Sequence, residues 1–422
     1  MRILLVSTYE LGHQPLGVAG PAGTLQSRGH EVRALDLGVD PWDPELAAWA
    51  ERVAISVPMH TAARLARAVA PRVDRPVACF GLYAAMCADV ATALVDRLPE
   101  RALVRWVEDD PRAEVAPARP ARDGLPPLER YARLVHRGEE VPVAYVEAST
   151  GCAHRCRHCP VPVVYDGRTR IIAPDAVVAD VAVQVEAGAR HVTFGDPDFF
   201  NGVHHALRVA RAVHSAFPEL TFDCTVKVEH VLRHEERWAE MADLGCLFVV
   251  SAFESVNDAI LGRLDKGHTA RDARRAVGVL SDSGIAVRPT WLPFTPWSTL
   301  ADVRGITDFV AEHGLVGYVE PVQYSIRLLV PEGSLLLGRV DGLGPFDPER
   351  LAYPWSSPLD DLQSRVAARV ETMMDRPIPE TFDAVRDELG QDPVHAPDAA
   401  VPRLSEPWFC CAEPTDAQLR RV

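Results

Sequence analysis

Two successive runs of alternating strand-like and helix-like segments constrain the fold of this chain more than any other feature. In residues 1–108, short apolar segments rich in Val, Ile and Leu alternate with Ala- and Leu-rich stretches of helical length. Buried strands joined by helical crossovers form a parallel sheet with helices on both faces. The predicted strands are residues 2–7, 31–37, 52–57, 76–81 and 103–108, and the predicted helices include 61–70 and 84–98.

The second run begins at residue 143 and contains six strand–helix units. Its predicted strands are residues 143–149, 191–195, 221–227, 246–254, 286–294 and 317–325, and its predicted helices are 174–187, 203–217, 231–244, 270–283 and 299–313. Four helices are followed by a glycine at the expected C-terminal position, namely Gly188, Gly245, Gly284 and Gly314. Six consecutive units predict a partial (β/α)6 barrel, whose reactive groups come from the carboxyl ends of its strands.

Three cysteines follow the first strand of this second run at spacing C-x3-C-x2-C: Cys152, Cys156 and Cys159. Three thiolates on a tight loop suit a cubane iron–sulfur cluster, because soft sulfur ligands select iron–sulfur chemistry. Three ligands leave one iron open, as a catalytic metal site requires. A zinc site stays open as the alternative, with His154 or His158 as the fourth ligand.

A C-x3-C-x2-C loop at the end of a first barrel strand resembles the signature of the radical S-adenosylmethionine (SAM) superfamily. In that family the open iron of a [4Fe-4S] cluster chelates the amino and carboxylate groups of SAM, and one electron cleaves SAM to a 5′-deoxyadenosyl radical. The resemblance implies a [4Fe-4S] cluster on the three cysteines, S-adenosyl-L-methionine as cofactor, and an electron donor such as flavodoxin or ferredoxin.

Two later segments resemble the SAM-binding motifs of this family. Gly195 and Asp196 occupy the positions of a G-G-E-like motif that receives the SAM ammonium group, for which an acceptor-only carboxylate is suited. The alternative is that Asp196 or Asp198 caps the next helix.

The run E-S…K-G-H-T, from Glu254 to Thr269, resembles radical SAM enzymes that carry a cobalamin-binding domain. The resemblance directs Glu254 toward the ribose or methionine part of SAM. Because an unpaired buried charge is costly, Glu254 needs a partner, either a ligand or Lys227, which is also near a strand end. A purely structural Glu254–Lys227 pair stays open. The last two predicted strands add three further candidates: Arg288 as a site residue, and Tyr324 and Arg327 as residues that face the substrate, with a solvent-exposed Arg327 as the alternative.

The N-terminal run resembles the cobalamin-binding-type domain that precedes many radical SAM barrels. The family's lower-ligand pattern is D-x-H-x-x-G, and this sequence departs from it around His13, which has no Asp two residues earlier and has Gly17 four residues later. Cobalamin binding and a scaffold retained without cobalamin therefore both stay open.

The C-terminal tail contains the adjacent thiols Cys410 and Cys411. Neighbouring Cα atoms are about 3.8 Å apart, whereas relaxed disulfides need about 4.4–6.8 Å, so this pair suits a shared soft ligand or a redox relay. The tail resembles a small group of radical SAM proteins named for a C-C-A-E-P or selenocysteine-containing C-U-A-E-P ending. The resemblance implies a catalytic role for both thiols, and chance adjacency is the alternative.

Composition restricts location and partners. The chain has 59 acidic and 44 basic residues, for a net charge of −15, so a general nucleic-acid surface is not expected. No apolar run approaches the roughly 20 residues of a membrane span, and the N-terminus reads as a strand rather than a signal peptide. Nine cysteines without an export signal predict a cytoplasmic protein. We expect a small-molecule substrate, no nucleic acid and no membrane.

These features predict an α/β protein with four parts. They are an N-terminal Rossmann-like domain of the cobalamin-binding type (1–108), a linker (109–141), a partial (β/α)6 radical SAM barrel (142–335), and a mainly helical C-terminal extension with the Cys-Cys tail (336–422). The predicted helices of the extension are residues 347–351, 359–374 and 379–389.

Three functions are compatible with the sequence. The first is a radical SAM enzyme that starts radical or alkyl-transfer chemistry, with a thiophilic arsenic, selenium or sulfur substrate held by Cys410 and Cys411. The second is a cobalamin-dependent radical SAM methyltransferase acting on a small natural product. The third is a non-catalytic metal-binding protein that has kept the barrel.

Overall fold

The computed structural model describes residues 1–116 and 118–406, in which two large sheets consist mainly of parallel strands. The strands are β1 Arg2–Ser7, β2 Glu31–Asp36, β3 Arg52–Ser56, β4 Val77–Phe80, β5 Thr92–Leu94, β6 Arg133–His136, β7 Glu139–Val146, β8 Ser149–Gly151, β9 Thr169–Ile171, β10 His191–Phe194, β11 Thr221–Thr225, β12 Cys246–Glu254, β13 Ala286–Trp291 and β14 Arg403–Leu404. The α-helices are α1 Leu16–Ser27, α2 Pro44–Trp49, α3 His60–Val69, α4 Pro99–Glu108, α5 Val161–Tyr165, α6 Pro174–Glu186, α7 Val203–Ala216, α8 Val228–Arg233, α9 Trp238–Asp243, α10 Asp258–Leu264, α11 Ala270–Asp282, α12 Leu300–Glu312, α13 Asp360–Thr372 and α14 Ile378–Glu388.

The first sheet has the strand order β2-β1-β3-β4-β5, and all its pairs are parallel. The centre of β1, from Ile3 to Val6, is apolar and fully buried, because apolar clusters cover both faces of the sheet. In sheets of this order, ligands bind beyond the carboxyl ends of the strands at the switch point between β1 and β3. The predicted Rossmann-like domain is confirmed.

Two element predictions in this domain are wrong. Residues 103–108 form the second half of α4 rather than a strand, because their buried residues lie on one face of a helix that Pro99 begins. Residues 84–98 contain a short turn and the strand β5 rather than a helix. Short apolar runs do not distinguish a buried strand from a buried helix by periodicity alone.

The second sheet has the order β13-β12-β11-β10-β7-β6-β14. Strands β7 and β10–β13 are parallel and form the half-barrel, whereas β6 and β14 are antiparallel additions at its edge. The four glycines predicted to follow helices all have positive φ. The largest apolar cluster lies between this sheet and its helices. The predicted α/β class with a partial barrel is confirmed.

The sixth predicted barrel strand is wrong. Residues 317–325 form 3-10 turns, because Pro321 lacks the N–H that a ladder needs and begins a turn instead. One parallel bridge between Phe294 and Arg327 continues the sheet at this position.

Two predicted helices of the barrel and the extension also differ. Helix 231–244 is divided into α8 and α9 by His234, whose backbone angles of −124° and 38° are not helical. Residues 347–351 form a turn closed by hydrogen bonds between Asp347 and Ala352. The other two predicted helices of the extension correspond to α13 and α14.

Arg122, from the segment between the two domains, holds them together. Its buried guanidinium pairs with Asp180 of α6 at 2.8 Å and donates to the carbonyl of Tyr145 in β7 at 2.7 Å and to Oε1 of Gln14 at 3.2 Å. The carboxyl ends of both sheets consequently face one shared cavity. The four domain boundaries stay predictions, although the predicted linker also contains β6.

Candidate functional site

A cavity of about 360 Å³ lies between the strand ends of the two sheets, within the range of roughly 300–1,000 Å³ common for small-molecule sites. From the first sheet it is lined by residues that follow β1, β3 and β4, which are Glu10, Leu11, His13, Pro58, Met59, Leu82 and Tyr83. The half-barrel contributes the other wall through residues at the ends of β10 to β13 and the cysteine loop. The cavity therefore lies at the switch point of one sheet and the open mouth of the other.

The cysteine loop is held at this cavity by backbone hydrogen bonds. Ala153 donates its N–H to Oδ1 of Asn201 at 3.1 Å, and Arg157 donates its N–H to the carbonyl of Leu264 at 2.9 Å. Gly151, directly before the loop, has φ of +79°, and a Cβ there would lie 2.3 Å from the carbonyl oxygen of Arg168. Only glycine fits at the start of the loop.

Cys152, Cys156 and Cys159 all line the cavity, and burial raises the pKa of the Cys152 thiol. Among residues 1–116 and 118–406, the three cysteine sulfurs do not all lie within 4.8 Å of one another. One tetrahedral zinc would bring its sulfurs to about 3.8 Å from one another, whereas a cubane cluster holds each thiolate on a different iron. The donor set thus fits a cluster better than the zinc alternative.

Asp196 follows β10, and its carboxylate is fixed from two sides. Oδ2 accepts the N–H of Ala148 at 2.8 Å, and Oδ1 accepts the hydroxyl of Ser149 at 2.5 Å. Burial raises the pKa of Asp196 to about 6, although these hydrogen bonds act in the opposite direction. Asp198, not Asp196, is the capping residue, because its Oδ1 accepts the N–H of Phe200 at 3.1 Å.

Gly195 lies against the ring of Tyr145 on β7. A Cβ at position 195 would be 2.1 Å from the phenolic oxygen. The ring of Tyr145 is itself stacked on His13 of the first domain, with centroids 4.5 Å apart. Burial lowers the pKa of His13 to about 4. A side chain larger than hydrogen at position 195 would disturb this contact between the domains.

Glu254 ends β12 with φ of +64°, next to an irregularity in the β12–β13 register. Positive φ in a residue other than glycine is uncommon and often marks a functional site. Its Oε1 lies 3.1 Å from Nε2 of His158 and 3.3 Å from Nζ of Lys266. Burial raises the pKa of Glu254, but the charges of Lys266 and His158 outweigh burial and hold the pKa at about 2.

Lys227 is not the partner of Glu254, so the alternative of a structural Glu254–Lys227 pair is wrong. Nζ of Lys227 lies 3.6 Å from Oε2 of Glu229, on the same turn of α8. Lys227 and Lys266 are the two lysines of the 422-residue chain, and both line the cavity. The remaining residues of the Lys and Arg total are all arginines, and Arg288 also lines the cavity.

A sequence profile of the Radical SAM superfamily matches residues 146–303, from the end of β7 to the start of α12. This range contains the cysteine loop, Asp196, Lys227 and Glu254. Residues 146–303, less than half of the chain, are therefore similar to a radical SAM domain.

Solved structures that contain a radical SAM domain resemble most of this chain. The methyltransferase TsrM from Kitasatospora setae, with cobalamin and a [4Fe-4S] cluster bound, has a TM-score of 0.59 and 18% identity over 74% of this chain and 70% of TsrM. The cobalamin-dependent SAM radical enzyme OxsB, with aqua-cobalamin and SAM bound, has a TM-score of 0.62 and 13% identity over 89% of this chain and 66% of OxsB. At these identities the likeness establishes the fold.

Curated relatives match a shorter part of the chain. The tRNA-2-methylthio-N(6)-dimethylallyladenosine synthases of Pseudomonas aeruginosa (strain PAO1) and Pseudomonas paraeruginosa (strain PA7) are each 24% identical over 203 residues. The match covers 45% of this chain and 45% of each synthase, so the chain spans about half the length of these relatives.

Two half-buried carboxylates of the cavity were not anticipated from the sequence, Glu10 after β1 and Glu147 after β7. Burial raises the pKa of Glu10 to about 7 and raises that of Glu147 well above its usual range. Oε2 of Glu10 is buried without a hydrogen bond. The sequence did contain a signal for both residues, because each is an acidic residue near the carboxyl end of a predicted parallel strand, where ligand-binding residues are expected. Both raised pKa values favour the protonated, uncharged carboxyl at these two positions of the cavity lining.

The three further candidates have different outcomes. Arg288 lines the cavity and pairs with Glu320 at 2.7 Å. Tyr324 and Arg327 are not cavity-lining residues: Tyr324 is buried in the core, and the guanidinium of Arg327 lies 3.6 Å over the ring of Trp355. The prediction that these two face the substrate is therefore wrong.

Cys410 and Cys411 lie outside the described residues. The described chain ends at the cavity, because β14 pairs with β6 and Glu406 is a lining residue that accepts a hydrogen bond from the hydroxyl of Tyr9 at 3.2 Å. No helix within residues 1–116 and 118–406 combines the length and apolarity that crossing a bilayer requires.

Proposed function

We propose that the chain is a radical SAM enzyme that binds a [4Fe-4S] cluster through Cys152, Cys156 and Cys159 and uses SAM as cofactor. The observation that carries this proposal is that all three cysteines line one cavity together with Asp196, Lys227 and Glu254. When bound, the cluster supplies the electron that cleaves the sulfonium of SAM. The profile match over residues 146–303 supports the same proposal.

The cavity residues are arranged to bind and orient SAM. Asp196, held by Ala148 and Ser149, presents a carboxylate for the ammonium group, and Gly195 leaves room for the ring of Tyr145 beside it. Glu254, held by Lys266 and His158, accepts hydrogen bonds from the ribose hydroxyls. Lys227 contributes positive charge for the carboxylate of SAM.

The test is detection of 5′-deoxyadenosine after anaerobic reconstitution and dithionite reduction. Cys152→Ala, Cys156→Ala and Cys159→Ala should each abolish the product and reduce the iron content from about four per chain. Cys246→Ala is the matched control, because Cys246 is buried on β12 away from the cavity. Protein that holds about four irons yet never forms 5′-deoxyadenosine would favour the non-catalytic alternative.

We further propose that Cys410 and Cys411 hold a thiophilic substrate, such as trivalent arsenic, at the cavity. Supporting this, Glu406 lines the cavity, and the four residues from Pro407 to Cys410 can span at most roughly 14 Å. Wild-type protein should bind arsenite, and a Cys410→Ser/Cys411→Ser variant should not. Cys79→Ser/Cys87→Ser, a buried pair in the first domain, is the control. Equal arsenite binding by wild type and the tail variant would end this proposal.

A second candidate is a cobalamin-dependent radical SAM methyltransferase acting on a small natural product. It is favoured by the position of the cavity at the β1/β3 switch point and by the likeness to TsrM and OxsB, whose structures contain cobalamin. Stacking of His13 on Tyr145 argues against His13 as a cobalt ligand.

Retention of hydroxocobalamin through desalting tests this candidate. Wild type should retain about one corrinoid per chain, and Leu11→Trp, which fills the cavity wall of the first domain, should retain less. Met374→Trp, at an exposed position in the C-terminal extension, is the control. Wild type that retains no corrinoid would rule this candidate out.

A further inference from the structure

Outside the cavity, His154, Asp198 and His230 bring three ligand atoms together. One ring nitrogen of each histidine and one carboxylate oxygen lie within 4.8 Å of one another, and across the described part of the chain this is the one His, Cys, Asp or Glu group that does so. His154 comes from the cysteine loop, Asp198 from the loop after β10, and His230 from α8. None of the three lines the cavity.

Asp198 is the centre of this group, and half of its carboxylate lacks a hydrogen bond. Its side chain is fully buried, and Oδ1 accepts the N–H of Phe200, but Oδ2 has no hydrogen bond. Nδ1 of His230 lies 2.8 Å from Oδ2 and also has no hydrogen bond. Two buried polar atoms at this distance without hydrogen-bond alignment are arranged like two ligands of one ion.

The separations agree with metal coordination. Nε2 of His154 lies 3.7 Å from the same Oδ2 of Asp198. With bonds of about 2.1 Å, separations of 2.8 and 3.7 Å correspond to angles of roughly 85° and 125° at the ion. Such angles are compatible with a four- to six-coordinate site completed by water.

We propose that His154, Asp198 and His230 bind one divalent transition-metal ion, zinc or ferrous iron, separate from the iron–sulfur cluster. Two imidazoles and one carboxylate suit these ions, whereas magnesium and calcium prefer oxygen ligands alone. Because His154 lies between the first two cysteines of the loop, the ion fixes that loop to the β10 loop and to α8.

The surrounding charges are compatible with an ion. Lys227 would oppose a cation, but its ammonium lies 3.6 Å from Oε2 of Glu229, which offsets its charge. The same oxygen lies 3.7 Å from Nδ1 of His154. A carboxylate facing the second ring nitrogen of a histidine ligand is the usual arrangement around protein-bound metals.

A hydrogen-bonded arrangement without an ion is the competing explanation. Nε2 of His154 lies 3.3 Å from Nε2 of His230, so the two rings can share a proton directly. This explanation predicts no metal binding by the three residues, and a metal titration separates the two.

The test uses full-length, untagged protein in which five cysteines are replaced, Cys152→Ala, Cys156→Ala, Cys159→Ala, Cys410→Ser and Cys411→Ser. This variant cannot form the proposed cluster or bind metal through the tail. After treatment with chelator, it is titrated with zinc, and bound metal is measured by mass spectrometry after gel filtration. We expect about one zinc per chain and a zinc-dependent rise in Tm.

Adding Asp198→Asn or His230→Gln to this protein should abolish the bound zinc and the Tm rise. Asn keeps an oxygen that accepts the N–H of Phe200, so loss of the fold is not expected, and circular dichroism checks it. His234→Gln is the matched control, because His234 follows α8 and is not part of the group. Zinc binding unchanged by Asp198→Asn and His230→Gln, or absent from the five-cysteine protein, overturns the proposal. Neither result depends on SAM cleavage.

Discussion

Oε1 of Glu254 lies 3.3 Å from Nζ of Lys266, and both residues are more than nine-tenths buried beside the cysteine loop. Burial removes water from both the carboxylate and the ammonium, which costs free energy. The attraction between the two opposite charges offsets that cost. The pair comes from the end of β12 and from the turn before α11, so it joins the strand that carries Glu254, the carboxylate proposed to face SAM, to the next crossover. Its strength therefore determines how firmly Glu254 is positioned in the cavity.

Lys266→Met should destabilise the protein by about 3–5 kcal/mol at pH 7, because it leaves a buried carboxylate without its main cation. Urea unfolding followed by circular dichroism measures the loss. Lys227→Met is the control and should cost about 0–1 kcal/mol, since its partner Glu229 is partly exposed. A loss below about 1 kcal/mol for Lys266→Met would contradict the assigned pairing.

The stabilisation from this pair should depend on pH with a defined sign. The pKa of Glu254 is depressed from 4.5 to about 2 in the folded protein. Its contribution is therefore complete above pH 4.5 and is lost as pH falls toward 2. Glu254→Gln should remove this part of the acid sensitivity, and unfolding free energies measured between pH 2 and 5 would show whether it does.

SAM binding should strengthen as pH rises through about 6. The pKa of Asp196 is raised by burial to about 6, and the protonated carboxyl cannot accept a hydrogen bond from the ammonium of SAM as a carboxylate does. From this value, affinity at pH 5 should be roughly tenfold weaker than at pH 7. Anaerobic calorimetry with reconstituted protein measures it. Asp196→Asn should bind SAM more weakly, and its affinity should no longer depend on pH. If SAM affinity changed with pH in the variant as it does in the wild type, the titrating group would be another residue.

Gly195→Ala should weaken SAM binding and cost about 1–3 kcal/mol of stability. The added Cβ would lie 2.1 Å from the hydroxyl and 2.2 Å from Cζ of Tyr145, and that ring cannot move freely while it is stacked on His13. Gly278→Ala on α11 is the matched control, because a Cβ there meets nothing within 4 Å, and it should stabilise by about 0.5–1 kcal/mol. Equal effects of the two substitutions on unfolding and on SAM binding would refute the steric argument.

Amine-directed labelling should report occupancy of the cavity. The chain contains three amines, the N-terminus, Lys227 and Lys266. SAM at ten times its Kd leaves roughly one tenth of the protein free, so methylation of both lysines should slow about tenfold while the exposed N-terminus of Met1 is unaffected. Mass spectrometry of the peptides gives the three rates. Lysine rates that do not change with SAM would exclude these two residues from its binding site.

Local patterns in the sequence were sufficient for most elements near the site. The cysteine spacing, the glycines after four helices and the apolar runs of β1, β3, β10 and β12 all depend on neighbours within a few residues. The boundaries of these elements therefore follow from the spacing of their apolar residues and from the residues that begin and end helices. The misassigned residues 103–108 and 317–325 show the limit, because a short apolar run takes its state from what packs against it.

The sequence by itself determined most of the alternation of strands and helices, the three-cysteine loop and the lack of lysine outside two positions. Tertiary structure alone decided that Lys266 rather than Lys227 faces Glu254, that Glu10 and Glu147 enter the cavity, and that His154, Asp198 and His230 converge. The physical reason is that these side chains meet across different strand ends. Their distances depend on sheet order, on the bulge at Glu254 and on the Arg122 junction, none of which is a property of neighbouring residues.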